Sequence, residues 1–366
     1  MKISSWRIFY MIRQPAYLRV YYKLRDQITG KAYQFGQRLP SKRQLADTEH
    51  VSVITIGHAY DLLAEEGYVE AKERSGYYVS FSDADPFLSK NTMPRGEEQT
   101  ESYHEDFVIP PVEHFPFMTY ARTVRKVLAD EGEKLFVKSE NQGRADLRQA
   151  IASYLLRNRG MEVSPSQILV GSGAEYLYGM VVTMLGRARI YGVEDPSYEM
   201  IEKIYDQNGV TVEKLKMGPD GIQSEALKKS RAEVLHVTPF HSYPSGVIAD
   251  ITKRAEYINW AKHRNAFIIE DDYDSEFTVK TRREDTLFSM EPKRHVIYIN
   301  TFSRTISHAT RVGYMVLPSE LSSLLLSKVS FYSCTVPVLD QAVLTELLNS
   351  GEFERHINRV RRRLRE

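Results

Sequence analysis

The stretch "HVIYINTFSRTISHATRVGY", residues 295–314, opens on an apolar run from Val296 to Ile299 and then breaks into hydroxyls and cations. A short apolar run closed by polar residues reads as a strand buried on both faces. The same design recurs upstream in "QILVGSGAEYLYGMVVTML", "ARIYGVEDPSYEMIEKIY", "AEVLHVTPFHSYPSG" and "AFIIEDDYDSEF". Helical stretches lie between several of these runs. One precedes them: "ADLRQAIASYLLRNRG" sets Leu147, Ile151, Tyr154 and Leu155 at helical spacing. The alternation predicts a doubly wound, mainly parallel α/β sheet from Phe107 onward, with ligands collecting at the strand ends.

The chain of 366 residues has room for two or three domains, and its net charge of +1 confines any nucleic-acid surface to a local patch. No apolar run approaches a membrane span, no signal-peptide core opens the chain, and a cytoplasmic protein without membrane contact is expected. Cys334 is the only cysteine, which excludes an internal disulfide or a cysteine zinc site, and no metal is expected. Charge is uneven: residues 1–82 carry 12 Lys and Arg against 8 Asp and Glu, and residues 83–106 carry 2 against 7. The second stretch, "DADPFLSKNTMPRGEEQTESYHED", has the composition of a linker. Domains at 1–82 and 107–366, joined through 83–106, follow.

In the first domain "PAYLRVYYKLRDQITG" spaces Leu18, Tyr21, Leu24 and Ile28 along one helical face. Ser41 with Gln44 makes a capping box for a second helix. Ser52 caps a third, which buries Ile56, Ala59, Tyr60 and Leu63 and ends at Gly67. "YVEAK" and "YYVSF", joined by "ERSG", form a hairpin. The order is that of a winged helix-turn-helix. Its third helix would present Thr55 and His58 to base edges, with Lys42, Arg43, Lys72 and Arg74 toward the phosphate backbone. Taken on composition alone, the same four cations are also an ordinary solvated face.

The strand ends of the large segment hold a matching set of groups. Gly173, Ala174, Thr301, Ser303 and Arg311 suit a phosphate. Asp271 suits a protonated ring nitrogen, Tyr273 a phenolate oxygen, and Tyr198 offers a flat face for stacking. Each also has a plainer reading: the tyrosines as packing, and "EDDYDSE" as a solvated acidic loop.

"LPSKRQLA", "VSVITIGHAYDLLAEEGY" and "SGYYV" resemble the GntR-type bacterial regulators over about the first eighty residues. "EDPSY", "TPFHSYPSG", "IIEDDYDSEF", "TFSRT" with "RVGYMVLP", and "FERHINRVRRR" resemble the fold-type I aminotransferases, and more closely the MocR subfamily, which joins both parts. The resemblance implies a transcription factor that senses pyridoxal phosphate or a derived amino compound, binds double-stranded DNA and pairs head to tail as a homodimer. In family terms Arg43 and the caps Ser41 and Ser52 belong to the DNA reader. Ser172, Gly173, Ala174, Thr301, Ser303 and Arg311 match the phosphate cradle. Asp271 matches the partner of the ring nitrogen, Tyr273 the donor to the ring oxygen, and Tyr198 the stacking ring.

Several residues depart from the family pattern, among them Gly173 and Ala174, which replace a glutamine pair common in the subfamily and resemble the turn of ordinary aminotransferases. Arg304 stands where the coenzyme-binding lysine is expected. A guanidinium stays protonated and its delocalised nitrogens are poor nucleophiles, so no carbon–nitrogen bond to an aldehyde forms there. Any bound pyridoxal phosphate is then non-covalent, and the domain is expected to be catalytically inactive. Val53 replaces the arginine usual after "VS", and Met200 stands where some relatives carry an arginine for a carboxylate. The chain stops at "RVRRRLRE", where the family continues into a smaller C-terminal domain. The alternatives are a pyridoxal-phosphate-dependent aminotransferase, and a degenerate regulator that binds DNA without a ligand.

Overall fold

The computed structural model describes residues 15–72, 75–81, 116–273, 275–277, 285–307 and 309–363. It divides into two compact units, Met1–Asp106 and Phe107–Glu366.

In the first unit α1 spans Ala16–Thr29, α2 Lys42–Glu49 and α3 Val53–Glu65. The Ser41 hydroxyl accepts from the Gln44 N–H at 3.2 Å, while the Gln44 side chain accepts from the Ser41 N–H at 3.0 Å. That reciprocal pair fixes the start of α2. Ser52 accepts from the Thr55 N–H at 3.1 Å and starts α3. Gly67, with φ of +76°, lets the chain turn out of α3 in a conformation that a side chain would resist. Ile56, Ala59, Tyr60 and Leu63 are buried against Val20, Tyr21, Leu24 and Ile28 of α1. The expected stripe of α1 shifts slightly: Val20 is buried and Leu18 only half-buried. The Tyr60 hydroxyl donates to the Pro40 carbonyl at 2.7 Å, tying α3 to the turn before α2. Strands β1 (Val69–Lys72) and β2 (Gly76–Val79) pair antiparallel as the wing.

The second unit begins with α4 (Phe117–Glu131) and α5 (Ala145–Arg159). The strands that follow are β3 (Ile168–Gly171), β4 (Ile190–Asp195), β5 (Thr211–Gly218), β6 (Gly221–Ile222), β7 (Val234–Val237), β8 (Phe267–Asp271), β9 (Val296–Thr301) and β10 (Gly313–Val316). They form one sheet in the order β3-β10-β9-β8-β7-β4-β5-β6. Pairing is parallel from β9 through β8, β7 and β4 to β5, while β10 runs antiparallel to both of its neighbours and β6 to β5.

The pleat sends alternate residues into two apolar layers. Ile268, Val296 and Tyr298 join Leu155 of α5, Tyr257 of α9 (Ile251–Arg264), Leu344 of α12 (Val338–Asn349) and Phe353 of α13 (Glu352–Arg363). Ile269, Ile297 and Ile299 face the other way. They join Leu177 of α6 (Ala174–Leu185), Tyr205 of α7 (Glu199–Gln207) and Leu325 of α11 (Ser322–Ser327). The short helices α8 (Ser224–Lys229) and α10 (Leu287–Met290) add Leu227 and Leu287 to the first of these layers. Both faces of the sheet are covered, which is why its strands read as unbroken apolar runs.

One plain reading is overturned. "EDDYDSE" is no solvated loop, because Glu270, Asp271, Asp272 and Glu276 are all buried. Glu270 accepts from the N–H groups of Leu287 and Phe288, each at 2.8 Å, and so holds the start of α10. Asp272 takes the Tyr298 hydroxyl at 2.6 Å and Arg159 at 2.9 Å. The Arg159 and Tyr298 contacts offset part of the cost of burying Asp272, as the two N–H groups do for Glu270.

Candidate functional site

The DNA-reading candidates lie on the first unit. Lys42 connects three of its elements. From α2 its ammonium lies 5.1 Å from the Tyr77 ring centre of the wing and 3.9 Å from Asp61 of α3. A Cβ built on Gly57 of α3 would stand 3.7 Å from the same nitrogen. Arg43 is exposed on the next residue. Lys72 of β1 is exposed, its ammonium 4.9 Å from the Tyr78 ring centre. Arg74 lies outside the described residues. Ser41 and Ser52 spend their hydroxyls as helix caps, and the Ser52 and Thr55 hydroxyls are 2.8 Å apart. His58 is exposed, edge-on to the Tyr17 ring at 5.9 Å.

In the second unit the strand register gathers the ligand candidates. Gly313 faces Gly171 on one side and Thr301 on the other, and Asp271 is in register with Ile299. The ends of β3, β8 and β9 and the start of β10 therefore share one edge of the sheet. Ser172, Gly173 and Ala174 follow β3, and Arg311 precedes β10. Gly173 has φ of +96°, and a Cβ there would stand 3.0 Å from Arg311 Nη2. The guanidinium thus packs against the start of α6, where helical N–H groups gather positive potential. It is also engaged by Glu175 at 2.7 Å.

Asp271 is the most constrained member. Its Oδ2 accepts the Tyr178 hydroxyl of α6 and lies 3.6 Å from His236 Nε2. The other ring nitrogen of His236 meets the Tyr205 hydroxyl at 2.7 Å. Burial and the neighbouring Asp271 hold the Tyr178 hydroxyl well above the ordinary tyrosine range, so it stays a donor. Asp271 Oδ1 is buried and has no hydrogen-bond partner among the described residues. A carboxylate oxygen left so carries a cost that an incoming cationic N–H would remove. The residues on this edge fit pyridoxal phosphate on two counts: the unsatisfied Oδ1 for its ring nitrogen, and a glycine–arginine cradle for its phosphate.

Other members are engaged within the protein. The Tyr273 hydroxyl donates to the His241 carbonyl at 2.9 Å, and the Ser303 hydroxyl to the Thr310 carbonyl at 3.1 Å. Arg304 follows β9 half-buried, its guanidinium carbon 5.6 Å from the Tyr273 ring centre. Tyr198 stands before α7, half-buried and edge-on to Tyr243 at 6.4 Å. Sequence reasoning missed Tyr178, His236 and Glu175. A histidine inside the apolar run "VLHV" was the available signal for one of them.

Residues 16–79 match the gntR family of bacterial regulatory proteins, and residues 113–366 match aminotransferase class I and II. The HTH-type transcriptional regulator YdeL of Bacillus subtilis (strain 168) is 32% identical over 95% of this chain and 76% of its own length. The probable rhizopine catabolism regulatory protein MocR of Rhizobium meliloti is 28% identical over 95% of this chain and 74% of its own. The pyridoxine biosynthesis transcriptional regulator PdxR of Corynebacterium glutamicum is 31% identical over 89% and 71%. Among solved structures, an archaeal alanine:glyoxylate aminotransferase superposes with a TM-score of 0.61 at 22% identity, covering 67% of this chain. The α-aminoadipate aminotransferase LysN of Thermus thermophilus, complexed with N-(5'-phosphopyridoxyl)-L-leucine, gives 0.61 at 26% identity and 69% coverage. The chain spans 62% and 66% of the lengths of those two enzymes. A GntR-type reader followed by an aminotransferase-like domain, in relatives named as regulators, places this chain in the MocR subfamily of GntR-type transcriptional regulators.

Proposed function

We propose that the second unit senses pyridoxal phosphate, or an amino compound joined to it, and holds it reversibly while the first unit binds double-stranded DNA. Asp271 carries this reading: its buried, unsatisfied Oδ1 stands on the sheet edge that also bears the phosphate cradle. When bound, the coenzyme supplies an aldehyde on a protonated ring. Asp271 would hold the ring N–H, with Tyr178 and His236 keeping its carboxylate in place. Ser172, Gly173, Ala174, Thr301, Ser303 and Arg311 would take the phosphate, and Tyr198 and Tyr273 the ring. Arg304 would donate hydrogen bonds to the aldehyde oxygen or to an amino-acid carboxylate.

The coenzyme stays non-covalent, because no neutral primary amine stands at position 304. Transamination by the usual lysine route is excluded on the same ground, which makes this a receptor and not an enzyme. The DNA reader takes residues 1–82, a linker 83–106 and the receptor 107–366. The protein works as a head-to-tail homodimer in the cytoplasm. A ligand shifts such a dimer only by binding its two arrangements with different affinity.

A second reading is favoured by the engaged hydroxyls of Tyr273 and Ser303 and by Glu175 on Arg311. In that reading the large unit is a closed scaffold without ligand. One experiment separates the two. The full chain is titrated with pyridoxal phosphate while tyrosine and tryptophan fluorescence is followed. Gel shifts on the DNA upstream of its own gene accompany the titration. Saturable quenching together with an altered shift supports sensing. Specific DNA binding without quenching supports the scaffold, and absence of specific binding at low salt rejects both.

A further inference from the structure

We propose that Val53 and Ile54, the first two residues of α3, read thymine methyl groups in the major groove. The inference deepens the DNA-binding reading and rests on it. Residues at the start of a recognition helix come closest to base edges. In this chain the start of α3 offers few polar groups for that task. The Ser52 hydroxyl caps the helix and meets the Thr55 hydroxyl at 2.8 Å, so the pair is closed upon itself. His58 leans on Tyr17. At the two positions that open the helix, what projects outward is aliphatic: Val53 is 45% exposed and Ile54 72%.

Single exposed aliphatics on a protein surface are ordinary. These two differ in being consecutive and in opening the reading helix. Lys42 lies against that helix, and Arg43 is exposed one residue on. Two cations thus accompany the helix, Lys42 sharing its charge with Asp61 at 3.9 Å, and cations are what a surface approaching phosphates needs.

The major-groove edge supplies the complement. Thymine alone among the four bases presents an apolar group there, its C5 methyl, whereas guanine presents two acceptors. An aliphatic side chain over guanine would strip water from those acceptors and return no hydrogen bond. Over thymine it buries methyl against methyl. Val53 and Ile54 thereby favour A·T pairs at the positions they meet, by contact with the methyl.

The test uses the full chain. Operators are selected from a random-sequence duplex library, and each selected thymine is then replaced by deoxyuridine, which lacks only the methyl. Binding is measured by gel shift. At one or two thymines in each half-site the replacement should weaken binding about fourfold, the worth of one buried methyl-sized group. Val53→Ala and Ile54→Ala should bind the thymine duplex about as weakly as the wild type binds the uracil duplex. Each variant should be indifferent to the replacement at its own position. Val53→Arg should move one selected position toward guanine. Specific binding that ignores the methyl, or an Ile54→Ala loss equal on both duplexes, overturns the inference and leaves DNA binding intact. Failure to select any sequence overturns the inference together with the reading beneath it.

Discussion

The guanidinium of Arg304 stands over the ring of Tyr273, 5.6 Å from its centre. A cation placed on an aromatic face gains about 0.5–1 kcal/mol at a partly exposed site. A lysine ammonium can keep that contact and adds what arginine lacks, a primary amine that can lose its proton. Arg304→Lys is therefore expected to capture pyridoxal phosphate covalently. The protein should turn yellow, and borohydride should fix one phosphopyridoxyl group per chain by mass. The wild type should release its coenzyme on dialysis. A variant that stays colourless would show that the cradle does not accept the coenzyme.

Glu175 and Arg311 make an ion pair at 2.7 Å, each side chain about half exposed. Exposed pairs of this kind contribute about 0–1 kcal/mol to stability. The same carboxylate would repel a phosphate brought to Arg311. Glu175→Gln should thus leave the unfolding midpoint nearly unchanged while tightening pyridoxal phosphate binding about fivefold. Calorimetric titration of both proteins is the measurement. Weaker binding by the variant would mean that the phosphate sits elsewhere.

The winged helix was legible because its signals are local. Ser41 with Gln44, Ser52 and Gly67 each act within a turn of their own position, and each stands where the residues place it. The alternating sheet was legible because burial on both faces leaves continuous apolar runs. The surroundings of Asp271 were not. Tyr178, His236 and Asp271 stand on three different elements, and only the order of the strands brings them together. A solvated loop stayed open as the plainer reading of "EDDYDSE" for a related reason. The partners of its acids, Arg159 on α5, Tyr298 on β9 and the N–H groups of α10, are remote in sequence. Pairing over such distances has no periodicity to read.

Gly57 is buried within α3, with room beside it: the nearest atom to an added Cβ is Lys42 Nζ at 3.7 Å. Glycine in a helix interior costs about 1 kcal/mol relative to alanine, through the entropy of the unfolded chain. Gly57→Ala should stabilise the first unit by about 0.5–1 kcal/mol in urea denaturation followed by helical circular dichroism. The end of the Lys42 side chain can move aside. Destabilisation by the variant would show that the packing of Lys42 against α3 does not yield.

Glu276 sits buried with Oε1 accepting from Asn300 at 2.8 Å, while Oε2 has no hydrogen-bond partner among the described residues. Burial, with the charge of Asp272 nearby, pushes its carboxyl up to about 7 from the ordinary 4.5. Burial does the same to Glu270, also to about 7, against the lowering effect of its two backbone N–H partners. A carboxyl raised in the folded state binds its proton more tightly there than in the unfolded chain. Its contribution is thus complete below pH 4.5 and is lost as pH rises through 7. The large unit should weaken across that window. Glu276→Gln keeps an acceptor for Asn300 and removes the charge, so it should remove one of the two losses. The variant should match the wild type near pH 4.5 and exceed it by about 1–3 kcal/mol at pH 8, since each tenfold gain in proton affinity on folding is worth about 1.4 kcal/mol. Urea denaturation at the two pH values decides the matter. A difference between variant and wild type that is the same at both would mean that Glu276 does not take up its proton on folding.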